Sequence, residues 1–133
     1  MASQGRILTK TLMSSTPQAP GQQPLRYDCK VAQDTHAYYL MGHLTACNHA
    51  IFREVLSGIA ASARCRTAVL DVENLEFIDS GGLGMLLLAR DDLKKRRIAL
   101  ELRGPKGDVR KILQAARFDS LFHISGWQEE SLS

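Results

Sequence analysis

Residues Phe77–Arg90 read FIDSGGLGMLLLAR. An apolar approach of β character ends in Asp79-Ser80-Gly81-Gly82, and a run dense in leucine follows at once. The first N–H groups of a helix have no intrahelical partner, and the helix dipole makes that end attractive to negative charge. Asp79 and Ser80 therefore stand where a side-chain oxygen can cap a helix, and equally where the amides can hold a phosphate. Gly81 and Gly82 let the backbone approach a neighbour closely. Leu83, Met85, Leu86, Leu87 and Leu88 then cover most of the helix circumference. A helix of that kind, predicted through Lys95, is either buried on several sides or offers one side to a partner.

The flanks supply the rest of an α/β fold. LRYDCKVAQ and THAYYLMG carry β-formers on either side of Gln33-Asp34, which predicts a hairpin whose second strand ends at Gly42. Thr45 is placed to cap a helix whose Ile51, Phe52, Val55, Leu56 and Ile59 recur at helical spacing. TAVLDV, residues 67–72, is the nearly unbroken apolar run of a central parallel strand. RIALELRG alternates as a strand with one packed side, and DVRKILQAARF places Val109, Ile112, Leu113 and Ala116 on one face of a last helix. FDSLFHI closes the fold as a short apolar segment. The order β-β-α-β-α-β-α calls for a small mixed sheet with helices packed mainly on one face.

A chain of 133 residues is one domain by length. Residues 1–24 gather Ser, Gln and three of the four prolines and are expected to be a flexible tail; residues 125–133 form a second, short one. A net charge of +3 requires no polyanion, and 6% aromatic residues leave little for stacking bases, so no nucleic-acid partner is expected. Lys94-Lys95-Arg96-Arg97 complements a helix C-terminus, with an anionic partner surface as its functional variant. No apolar stretch nears the ~18 residues of a membrane span, and Cys29, Cys47 and Cys65 suit three reduced thiols. A cytoplasmic chain without membrane insertion follows as the expectation. His43, Cys47 and His49 fit no common metal spacing, so neither metal nor cofactor is called for. Gly81-Gly82-Leu83-Gly84 lacks the Gly-Lys-Ser/Thr of a phosphate-binding loop, and Ser80 lies in no nucleophile elbow.

FIDSGGLGMLLLAR, preceded by TAVLDVENLE and followed by VRKILQAARFDSLFHI, resembles the STAS domain of bacterial anti-sigma factor antagonists over about residues 25–124. GHLTACN, residues 42–48, stands where that family often has a Gly-x-Leu-Asp turn, with Thr45 replacing the acid. The resemblance implies a non-enzymatic partner switch that binds an anti-sigma factor, often also a histidine-kinase-like serine kinase, and is released by phosphorylation at the strand–helix junction. In the usual pattern the acceptor directly precedes Gly-Leu-Gly; here that position is Gly81, and Ser80 is the remaining candidate. The same junction also resembles STAS proteins attached to ABC-type lipid transporters, an alternative in which the chain is an assembly subunit. The expected partner surface comprises Gly42, His43, Thr45, Asp79, Ser80, Gly81, Gly82, Leu83 and Met85, with the exposed side of the helix to Lys95.

Overall fold

A computed structural model describes residues 23–126, so most of both expected tails lies outside the described residues. Strands β1 (Leu25–Ala32) and β2 (Thr35–Leu44) form the predicted hairpin, followed by a 3-10 turn at Ala46–Asn48 and helix α1 (His49–Ala60). Then come β3 (Thr67–Ile78), α2 (Ser80–Lys95), β4 (Ala99–Arg103), α3 (Gly107–Ala115) and β5 (His123–Ser125). The sheet runs in the order β1-β2-β3-β4-β5, antiparallel only at β1–β2.

Period-two alternation puts Leu25, Tyr27, Cys29, Tyr38, Leu40, Ala68, Leu70, Val72, Leu100 and Leu102 on one face of this sheet, in a single buried cluster. The helices cover that face through Ile51, Phe52, Val55 and Ile59 of α1, Leu86, Ala89 and Leu93 of α2, and Val109 and Leu113 of α3. Burying a leucine such as Leu86 or Leu93 stabilises the fold by ~2 kcal/mol. On the other face Tyr39, Asp71 and Arg103 fall in one row, and the buried Asp71 carboxylate is satisfied by Arg103 at 3.6 Å and the Glu73 N–H at 3.0 Å.

Three sequence expectations change. Gly42 does not end β2: with φ +94° it sits at a register shift, and the strand resumes to Leu44. The central strand continues past Val72 to Ile78, because its second half pairs with the resumed β2. The end of FDSLFHI is not merely an apolar closure; His123–Ser125 adds a fifth strand beside β4.

Polar groups inside the core are held neutral. Burial, with help from Glu54 and from Cys29 respectively, pushes the Tyr27 and Tyr38 phenols well above their ordinary range. Burial likewise raises the Cys29 and Cys65 thiols, leaving them protonated at neutral pH and poor nucleophiles. The Tyr27 hydroxyl donates to Glu54 Oε2 at 2.6 Å. Gly58 is explained here as well, since a Cβ at that position would lie 2.7 Å from the Tyr38 hydroxyl.

Candidate functional site

Strand β3 ends by pairing Ile78 with Leu44, which carries Asp79 to the edge of the sheet. Asp79 adopts the extended conformation of an N-cap, and its Oδ1 accepts from the Gly82 N–H at 2.8 Å. Its carbonyl accepts from the Leu83 N–H at 2.9 Å, and its own N–H donates to the Leu44 carbonyl at 3.3 Å. The cap is thus Asp79, and the expectation of Ser80 in that role is corrected: Ser80 is the first helical residue, one position past the cap. Ser80 is exposed, and its hydroxyl makes no hydrogen bond among the described residues.

The two glycines meet this chain's own backbone. A Cβ at Gly82 would sit 2.1 Å from the Leu44 carbonyl oxygen and 2.8 Å from Ile78 Cγ1. One at Gly81 would sit 2.8 Å from Ala46 Cβ and 3.2 Å from Ala46 N. Both glycines therefore clamp the start of α2 onto the β2–α1 turn, and a serine at position 81 would crowd that turn. Gly84 differs, since nothing lies within 4 Å of its Cβ position.

The turn itself is braced by Asn48. Its Nδ2 donates to the His43 carbonyl at 2.9 Å and to the Gln23 carbonyl at 3.2 Å. The expected helix cap at Thr45 is corrected: its side chain caps no amide, and Oγ1 lies 3.4 Å from Asn48 Nδ2 as an acceptor. Thr45 is 1% exposed, and Gly42 and Gly82 are also buried, so these three shape the junction from beneath and do not themselves present a surface. His43 is partly open. Its Nδ1 accepts from the Gln23 N–H at 3.1 Å, its Nε2 lies 3.9 Å from Glu76 Oε1, and its ring packs 5.5 Å from that of Phe77.

Leu83 and Met85 are partly buried against the core. The apolar residue that α2 turns outward is Leu88, 71% exposed, two turns beyond Ser80 and in line with Gly84. Phe77, 39% exposed, adds a second apolar side chain at the mouth of the junction. Neither was singled out from the sequence. The excess of leucine around α2 is the signal for Leu88, but which leucine is left over depends on how the helix rolls on the sheet.

Among the described residues no cluster of His, Cys, Asp or Glu can hold a metal ion, and no helix is long and apolar enough to cross a membrane. What the arrangement offers is a rigid, shallow surface with an unbonded hydroxyl at a helix N-terminus and an apolar side chain beyond it.

Comparison with known proteins places this geometry. A STAS-domain containing protein of Pseudomonas aeruginosa is 38% identical over 77 residues, spanning 58% of this chain and 74% of that protein. An anti-sigma factor antagonist from Mycobacterium paratuberculosis shares the fold with a TM-score of 0.67 at 16% identity, over 82% of this chain and 90% of that one. A sulfate transporter family protein from Wolinella succinogenes shares it with a TM-score of 0.62 at 18% identity, over 72% and 80%. At such identities the two structures speak to the fold alone. The STAS domain family matches residues 26–130, nearly all of the described fold, and the chain belongs to that family.

Proposed function

We propose that this chain is a non-enzymatic, cytoplasmic protein-binding regulator of the anti-sigma factor antagonist type, whose partner is an anti-sigma factor or a histidine-kinase-like serine kinase. The observation that carries this is Leu88, which stands 71% exposed on the helix face that begins with the unbonded Ser80 hydroxyl. An isolated exposed leucine is ordinary. One aligned with an open glycine and an exposed Phe77 nearby gives a partner an apolar anchor within a rigid frame. Phosphate on Ser80 would be welcomed by the first-turn amides while adding nearly two negative charges to the contact surface. A partner covering Leu88 would then have to desolvate that charge, so modification and binding exclude one another.

One observation favours a second reading, the accessory subunit of an ABC-type lipid transporter complex. Gly81 fills the usual acceptor position, and the packing of Ala46 against it leaves no room for a hydroxyl-bearing side chain. The test is recovery of the full chain from its native cells with identification of copurifying proteins, alongside Leu88→Asp. An anti-sigma factor or serine kinase that is lost from the variant is expected. A transporter ATPase with its permease would overturn the antagonist reading.

A further inference from the structure

At the far end of β3 from Ser80, roughly 35 Å away along a 12-residue strand, three segments distant in sequence meet around a cleft of about 580 Å³. The β1–β2 turn contributes Asp34, the loop before β3 contributes Arg64, Cys65 and Arg66, and the α2–β4 turn contributes Arg96 and Arg97. The backbone of this cleft is tied together. Arg66 N and Thr67 N both donate to the Asp34 carbonyl, at 2.8 and 3.2 Å, and Ala99 N donates to the Arg66 carbonyl at 2.9 Å.

Arg96 is engaged by Asp92 at 3.5 Å. Arg64, Arg66 and Arg97 have no ion-pair partner among the described residues, and Asp34 is the only carboxylate lining the cleft. Cations at the C-terminal end of α2 complement its dipole, which accounts for Lys94 and Lys95. It does not account for Arg64 and Arg66, which belong to a different loop. Guanidinium groups that outnumber the carboxylates beside them repel one another, and a multiply charged anion relieves that repulsion. Their planar forks match phosphate in a bidentate fashion. Among the described residues no aromatic side chain lines the cleft, so none of them stacks a nucleobase there. Its volume is that of a small-molecule site.

We propose that this cleft binds a compact, multiply charged phosphate ligand, a soluble polyphosphate or phosphate ester, independently of the partner surface around Ser80 and Leu88. Arg66 and Arg97, from two different loops, hold its oxygens together with Arg64.

The test is calorimetric titration of the full chain with sodium tripolyphosphate. Saturable binding at one site per chain is expected, weakened about tenfold or more by Arg66→Ser and by Arg97→Gly, and weakened by added salt. Arg97 has a left-handed backbone, φ +63°, where glycine is the cheaper residue, so Arg97→Gly removes the charge without lowering the melting temperature. Absence of saturable binding at millimolar tripolyphosphate would overturn the proposal. So would affinity unchanged in both variants, or binding to phosphatidylglycerol vesicles with none to tripolyphosphate, which would mark a membrane-facing surface.

Discussion

Gly82 and Gly84 sit two residues apart on α2, and replacing each with alanine is expected to move stability in opposite directions. At position 82 the new Cβ would lie 2.1 Å from the Leu44 oxygen, well over 1 Å inside the ordinary ~3.4 Å contact of carbon with oxygen. The obstacle is backbone held by the Asp79 N–H, so no side chain can swing away. Relief requires the first turn of α2 to lift, which also stretches the 2.8 Å bond from the Gly82 N–H to Asp79. Overpacking costs ~1–3 kcal/mol and a disrupted cap ~1 kcal/mol, against ~1 kcal/mol regained from the helix propensity of alanine. The net expectation for Gly82→Ala is a loss of about 1–3 kcal/mol. At position 84 nothing lies within 4 Å, so only the propensity gain remains, and Gly84→Ala is expected to stabilise by ~0.5–1 kcal/mol. Urea unfolding of the two variants, followed by circular dichroism, reads both effects. A Gly82→Ala variant within ~0.5 kcal/mol of wild type, which is the scatter expected of an inert surface change, would refute the clamp between α2 and β2.

Asp79→Ala should lower stability by ~1 kcal/mol through loss of the cap while Asp79→Asn stays within a few tenths, a contrast measurable in the same urea series. Ser80→Asp places a negative charge at the exposed start of α2, so chemical denaturation should show stability unchanged or raised by up to ~1 kcal/mol. If copurification with an anti-sigma factor or kinase nonetheless survives Ser80→Asp, the proposed switch at this residue fails. His36 is 6% exposed, and its Nδ1 has no hydrogen-bond partner among the described residues. Burial lowers its pKa below the ordinary 6.5, so the unfolded chain takes up a proton that the folded chain resists. Its contribution to stability is therefore fully present above pH ~6.5 and declines as the pH falls below that value. Comparing unfolding free energies at pH 7.5 and 5.5 should show a larger acid loss in wild type than in His36→Leu; equal losses would remove His36 as the cause.

Much of the architecture could be read from local pattern. The 3.6 period in Ile51–Ile59 and the alternation of Leu100 and Leu102 specify elements by which side must leave water, and that holds whatever the neighbours are. Boundaries were less legible. Gly42 reads as a stop because a glycine weakens a strand, yet its positive φ accompanies a register shift, and only pairing with Asn74–Ile78 shows that the strand resumes. His123–Ser125 is too short to announce itself and is a strand because β4 has an open edge beside it.

The junction divides in the same way. That Asp79-Ser80-Gly81-Gly82 opens a helix follows from the sequence alone, since the orphan amides of a first turn, the short polar side chains and the glycines are all local requirements. Which oxygen takes the amide, what each glycine touches, that Thr45 is sealed beneath the site and that Leu88 remains outside are decided by the seating of α2 on β2 and β3. So is the meeting of Arg64 and Arg66 with Arg97, which lies more than thirty residues further along the chain and becomes their neighbour only at one end of the sheet. Local pattern records what each residue can do by itself, whereas contact between distant segments is set by packing that no single segment contains.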